Sequence, residues 1–542
     1  MKLPMLLAAT ALLAAPALSA PAAKHSAAKP PRSEAKKGDA SQPAKQFFHP
    51  SEVRSVGSVT IGGQPIAFDA VAGTLVIHAK DWSDTDQLEA DAQTKGDKDE
   101  PKPESSMFYT AYFKQGVPSA TRPITFLFNG GPGSSTVWLR MGAFGPVRVA
   151  TVDGRHTNAP YSVVNNDQSL LDASDLVFID APGTGFSRIA GKDKDKAFYG
   201  VDQDIDAFSQ FIFQFLSKYQ RWSSPKYLFG ESYGTMRGAG LALALQNKDI
   251  DLNGVILLSD ILNWDFMPDD PQVNPGIDMP YIVSLPTYAA TAWYYQKIGN
   301  RPQLKPFLDE VEAFATGDYA NALLKGNDLP DAERQRIAER LSAYTGLTVP
   351  YLLKTNLRIE YGAFQKELLA REEATTGTLD TRFVGATIDP LSKVASYDPQ
   401  SAAISAAYLA AWNGYVRSAL HYGEGVEYKS GIPIYSKWDY KHAPPGVSDP
   451  LIALPNVLPD LAVAMKQNPD MKVMVNGGYY DISTPYFEGK MELRHLPVPP
   501  ALRGNIEYKY YESGHMVYAH LPSLVALHDN VADFIRRTSG AR

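Results

Sequence analysis

The 542-residue sequence contains no cysteine. That excludes a disulfide scaffold, a thiol nucleophile, thiolate zinc sites and a lipid-modified N-terminal cysteine. Also missing is any apolar run of the ~20 residues needed to span a bilayer, so stable membrane insertion is not expected. Basic charge is in deficit too, with 52 Lys and Arg against 59 Asp and Glu, a net of −7. Residues 24–45 carry six Lys and Arg against two Asp and Glu, which leaves the remainder more acidic still. An acidic body repels phosphate backbones, so nucleic acid is not an expected partner. What the chain does have is 44% apolar and 11% aromatic residues, enough for a large core that needs no cross-links.

Residues 1–19 read as a secretory signal peptide: Lys2, the apolar run Leu6 to Ala15, a break at Pro16, then small residues with cleavage after Ser19 or Ala22. The expected location is therefore secreted or periplasmic. Residues 20–46 are rich in Ala, Pro, Lys and Ser and read as a disordered leader. From Phe47 to about Asp81 the text is β-like, with strands expected at 57–61 and 74–78. Residues 83–106 are charged and contain proline, as a surface loop or insertion does.

Beyond Met107, buried strands alternate with helices. Unbroken apolar runs at 124–128, 175–180, 226–229 and 254–258 predict strands covered on both faces. Ile205, Phe208, Ile212 and Phe215 mark one helix face, and a small-residue helix is expected to run to Gln246. The rhythm lapses over 264–435 and returns at 472–475, at 506–510 and in a helix at 522–537. The fold class is therefore α/β: a central, mostly parallel sheet flanked by helices, in two parts, 47–263 and 436–542, with an inserted, mainly helical cap at 264–435.

The strongest chemical signal is Gly230-Glu231-Ser232-Tyr233-Gly234 between a buried strand and a helix. Such a corner presents the serine hydroxyl above the sheet, next to a helix N-terminus. Serine needs a histidine base, and the histidine needs a carboxylate to set its tautomer. His515 in Ser513-Gly514-His515-Met516, and Asp481 after Asn476-Gly477-Gly478, both follow predicted strands, at the sheet edge where ligand sites of open α/β sheets gather. The order Ser232, Asp481, His515 is the α/β-hydrolase order. Candidate donors for an oxyanion are the N–H groups of Tyr233 and of Gly131 in Asn129-Gly130-Gly131-Pro132-Gly133. These roles require no metal and no organic cofactor.

The blocks 128–135 through Gly145-Pro146, then Asp180-Ala181-Pro182-Gly183-Thr184-Gly185-Phe186-Ser187, the serine corner, and 513–517 resemble the serine carboxypeptidase family, peptidase family S10, in a secreted, bacterial-type form. The resemblance implies an α/β-hydrolase fold, acyl-enzyme chemistry, and release of residues from peptides with a free C-terminus. It also implies that Asn129 and Glu231 hold the substrate's terminal carboxylate, with a Glu231 pKa raised by that crowding. The chain departs from the family at three places. Ala143 stands where a second glutamate is usual, Leu127 where a tryptophan is common, and Ser134 where a cysteine commonly follows. Acyl transfer to an alcohol, ester hydrolysis, or a catalytically silent peptide-binding role remain alternative readings. The preferred C-terminal residue and the oligomeric state are not legible.

Overall fold

A computed structural model describes residues 46–80, 82–83, 102–267, 274–447 and 454–540. The expected signal peptide, nearly all of the leader and most of the 83–106 insertion lie outside the described residues. Fourteen strands are numbered β1 to β14 and the longer helices α1 to α9.

β1 (Ser51–Ile61) and β2 (Gln64–His78) form one long hairpin, and β2 pairs antiparallel with β3 (Glu104–Lys114). The sequence predicted only 57–61 of β1 and 74–78 of β2. The rest of β1 is largely exposed, and residues 66–70 of β2 alternate between buried and exposed, so no unbroken apolar run marks either stretch. The strand β3 also begins inside the stretch read as a loop, because Glu104, Ser105 and Ser106 pair with His78, Ile77 and Val76.

β4 (Ile124–Phe128) follows, then two short pieces, β5 (Val147–Val149) and β6 (Val163–Asn165), that pair with each other. β7 (Asp175–Ile179) precedes β8 (Arg188–Ala190), which pairs with β3. Next come α1 (Val201–Lys218), β9 (Lys226–Glu231), α2 (Tyr233–Gln246) and β10 (Gly254–Leu258).

Between β10 and the next sheet strand, the chain forms α3 (Met279–Tyr294), α4 (Leu304–Phe314), α5 (Asp331–Thr345) and α6 (Pro399–Ser418). A small hairpin, β11 (Ala374–Thr376) with β12 (Val384–Ala386), interrupts the helices. The chain then closes with α7 (Leu458–Gln467), β13 (Lys472–Gly478), α8 (Tyr486–Arg494), β14 (Ile506–Tyr511) and α9 (Leu521–Thr538).

The main sheet runs β1-β2-β3-β7-β4-β9-β10-β13-β14. From β7 to β14 every neighbour is parallel. Alternate residues of each parallel strand feed different cores. Phe126, Phe128, Val177, Leu228, Val255 and Leu257 face the α1, α2 and α7 side, whereas Leu127, Phe178, Phe229, Ile256 and Leu258 face the α6 and α9 side. Burial of each such side chain contributes roughly 2 kcal/mol. Two-sided burial explains why these strands read as unbroken apolar text. A third core joins the inserted helices to Tyr486 and Phe487 of α8.

From β4 the chain steps to β7 on one side and then to β9 on the other, which makes β4 a topological switch point. Ligand sites of open α/β sheets form at the carboxyl ends of strands beside such a switch.

Candidate active site

Ser232 lies between β9 and α2 with φ 61° and ψ −135°. A non-glycine residue held there stores about 1–3 kcal/mol of strain, and the packing around it explains why it stays. A Cβ at Gly230 would lie 2.1 Å from the Gly234 carbonyl oxygen, so only glycine permits the corner to close. The backbone N–H of Ser232 donates to the Leu258 carbonyl at 3.0 Å, fixing the corner to the end of β10.

The glycine-rich loop after β4 meets this corner backbone to backbone. A Cβ at Gly130 would stand 2.4 Å from the Tyr233 nitrogen and 2.5 Å from the Gly234 nitrogen. The N–H of Tyr233, at the first position of α2, has no acceptor within the helix. Gly131 is the next residue of the same loop, so the two sequence-predicted donors belong to segments in direct contact.

Asp481 follows β13 and His515 follows β14, two neighbouring strands. His515 Nδ1 is 2.7 Å from Asp481 Oδ2. The other carboxylate oxygen, Oδ1, accepts the N–H groups of Ser483 at 2.9 Å and Thr484 at 3.1 Å, and the Thr484 hydroxyl donates to Oδ2 at 2.8 Å. A carboxylate so placed against the ring assigns the proton to Nδ1, which leaves Nε2 as the basic nitrogen. Burial opposes a charged imidazole, but the Asp481 carboxylate outweighs it and holds the His515 pKa above its ordinary value.

Ser259, directly after β10, ties the three loops together. Its hydroxyl donates to the His515 carbonyl at 2.8 Å, its N–H donates to the Asn476 carbonyl at 2.8 Å, and its own carbonyl lies 3.0 Å from the Thr484 hydroxyl. Sequence reading missed Ser259, although its place one residue past a buried strand was a signal. The inserted segment adds ties that no local pattern reveals. The Leu379 carbonyl accepts the His515 N–H at 2.6 Å, the Thr378 carbonyl accepts that of Ile482 at 3.1 Å, and Thr381 N–H donates to the Tyr480 carbonyl at 2.9 Å.

Asn129 and Glu231 lie at the adjoining ends of β4 and β9, 4% and 2% exposed. Burial pushes the Glu231 carboxyl up to about 7, against the opposing pull of His515, Tyr518 and Asn129. The Asn129 side-chain oxygen accepts the Leu139 N–H at 3.1 Å, which turns its NH2 group inward. The Asn129 carbonyl accepts a hydrogen bond from Arg237 Nη1 at 2.7 Å, while Arg237 Nε pairs with Asp204 at 2.7 Å. Arg237, the sole cation of α2, is fully buried and lies over the Phe208 ring at 4.2 Å. Its position in an otherwise small and apolar helix was a legible sign of a buried ion pair. Among the described residues no group of three or more His, Asp or Glu side chains is disposed to hold a metal ion.

The strand order, the strained serine corner after β9 and the acid–base pair after β13 and β14 define the class of protein as an α/β hydrolase. A family model described as serine carboxypeptidase matches residues 96–263. The chain is 27% identical over 178 residues to serine carboxypeptidase-like 36 of Arabidopsis thaliana, across 31% of this chain and 34% of that protein. It is 33% identical over 119 residues to the pheromone-processing carboxypeptidase KEX1 of Saccharomyces cerevisiae, across 21% of this chain and 15% of that protein. The matched stretches thus span about a third or less of these curated relatives. Among solved structures, a proline iminopeptidase of Mycobacterium smegmatis aligns over 90% of this chain and 99% of its own, at 12% identity and TM-score 0.32. A carboxyl esterase of Bacillus coagulans aligns over 81% and 98%, at 11% identity and TM-score 0.32. The stretch similar to serine carboxypeptidases is the segment that carries the serine corner and the glycine-rich loop.

Proposed function

We propose that the chain is a secreted or periplasmic serine-type carboxypeptidase that removes C-terminal residues from peptides through an acyl-enzyme. The observation that carries this reading is the buried His515–Asp481 pair, joined through Ser259 to the strand end that also anchors the strained Ser232 corner.

In this mechanism Ser232 Oγ attacks the scissile carbonyl while His515 Nε2 takes its proton. The resulting imidazolium is stabilised by Asp481. The tetrahedral oxyanion is held by the N–H groups of Gly131 and Tyr233. His515 returns the proton to the leaving amine, and the departing amino acid carries the carboxylate that Asn129 and Glu231 had held. Water, deprotonated by His515, then cleaves the ester and regenerates Ser232. The segment 264–435 acts as an inserted cap beside this site and shapes the side-chain preference.

Matched peptides ending in a free carboxylate or in an amide test the exopeptidase step. Cleavage of the free acid alone is expected, with Ser232→Ala slower by about 10⁶-fold. Equal cleavage of both peptides by the wild type overturns the carboxypeptidase reading.

A further inference from the structure

The family resemblance leaves one gap, the glutamate missing at Ala143. Ala143 is fully buried in the turn Leu139–Phe144. The neighbouring Gly142 is walled by two tyrosines: a Cβ there would lie 2.6 Å from the Tyr408 hydroxyl and 2.6 Å from the Tyr518 ring. Tyr518 follows His515 on the short turn Val517–Ala519. Its hydroxyl lies 2.8 and 3.1 Å from the two carboxylate oxygens of Glu231. Tyr518 is only 3% exposed, so no water competes freely for this contact.

We propose that Tyr518 stands in for the missing acid and is a positioning residue that sets the selectivity of the terminal-carboxylate site, which is thereby a one-acid site. This rests on the carboxypeptidase reading. With Glu231 protonated, the Tyr518 hydroxyl donates to one of its oxygens and the acid proton of the other points to the incoming substrate carboxylate, beside the Asn129 NH2 group. With Glu231 ionised, Tyr518 still donates, but the substrate carboxylate meets a like charge. The remaining groups that face Glu231 are His515, which favours its charged form, Asp481, which opposes it, and Tyr408, itself beside Arg148. A phenol that donates to the charged form lowers the pH at which Glu231 ionises. Tyr518 therefore limits how far into the alkaline range a free C-terminus is held.

The test measures KM against pH from 5 to 9 for an N-blocked dipeptide, in wild type and Tyr518→Phe. Calorimetric binding of the same dipeptide and its amide to the Ser232→Ala protein runs beside it. For wild type, KM should rise as pH passes about 7. In Tyr518→Phe the rise should move up by about one pH unit, with kcat at saturation and amide binding unchanged. Glu231→Gln, which keeps a neutral donor, should flatten the profile, and it serves where Tyr518→Phe folds poorly. A Tyr518→Phe profile raised equally at every pH, or a midpoint that stays in place while Glu231→Gln flattens the curve, overturns the role of Tyr518. A sloping Glu231→Gln profile overturns it as well. Equal binding of acid and amide by the Ser232→Ala protein, while a fluorophosphonate labels the wild type, overturns the carboxypeptidase reading itself, and this inference falls with it.

Discussion

Asp481 Oδ2 and His515 Nδ1 meet at 2.7 Å across two adjacent parallel strands, in a site where both side chains are buried. Two further donors from Thr484 and one from Ser483 hold the carboxylate in place. Replacing Asp481 with Asn offers Nδ1 an amide that can present its NH2 group, which favours the wrong imidazole tautomer. We expect kcat to fall about 10⁴-fold with little change in KM. Steady-state kinetics check this, with circular dichroism to confirm the fold. A loss under tenfold would remove Asp481 from the triad.

A close backbone approach at the site predicts a second loss. Gly130→Ala places a methyl group 2.4 Å from the Tyr233 nitrogen, with backbone on both sides and no flexible atom to yield. The glycine-rich loop must retreat and carry Gly131 with it. The expected cost is about 10²–10³-fold in kcat, the size of one lost oxyanion donor, while fluorophosphonate labelling slows in parallel.

Arg237 joins the loop of Asn129 to Asp204 inside the core. Arg237→Met leaves Asp204 buried and unpaired, a cost of about 3–5 kcal/mol, seen in chemical denaturation. Adding Asp204→Leu should recover most of that stability. It should not recover the KM for free-acid peptides, because the Asn129 carbonyl has still lost its 2.7 Å partner. Full recovery of both would confine Arg237 to a structural role.

Two groups set the pH profile. His515, raised by Asp481, must be neutral to act as a base, so activity grows as pH climbs through a value above the ordinary histidine range. Glu231 must be protonated to accept a carboxylate, so binding of free acids fades as pH rises through about 7. Free-acid peptides should therefore show a narrow bell in kcat/KM. A small ester substrate without the carboxylate should keep only the acid limb. Identical profiles for both substrates would separate Glu231 from substrate binding.

His442 bridges Asp202 at 2.6 Å and Asp460 at 2.9 Å. Burial works against its charge, but the two carboxylates prevail and push its pKa up to about 9. A histidine raised in the folded state stabilises fully below its unfolded value of about 6.5 and loses that contribution as pH rises through about 9. Roughly 3 kcal/mol is at stake. The Tm should fall between pH 6.5 and 9 in wild type, and His442→Gln should be less stable at pH 6 yet show a weaker decline across that window.

Elements with two-sided burial were legible in detail. β10 runs from Gly254 to Leu258, and α2 ends at Gln246, both as the apolar pattern indicates. The hairpin β11–β12 was not legible, since its three-residue strands lie within text that carries no alternation. Likewise Val56 in β1 is 76% exposed, and nothing local marks it as a strand residue. Of the site, Ser232, Asp481 and His515 could be chosen because glycine-rich corners and strand ends betray them. Tyr518 could not, and Ser259 only through its place after a buried strand, because the importance of both rests on which distant atoms they reach.

The sequence alone determined the alternation of buried strands and helices, the strained serine corner and the chain order of the three chemical residues. Each of these depends on neighbours within a few positions, where backbone sterics and apolar periodicity act. Tertiary structure alone decided that the Leu379 carbonyl holds the His515 N–H, that Ser259 binds three loops into one frame, and that the Tyr518 hydroxyl reaches Glu231. These contacts are made between residues far apart in the chain. A hydrogen bond is set by distance in space, and no spacing along the chain encodes it.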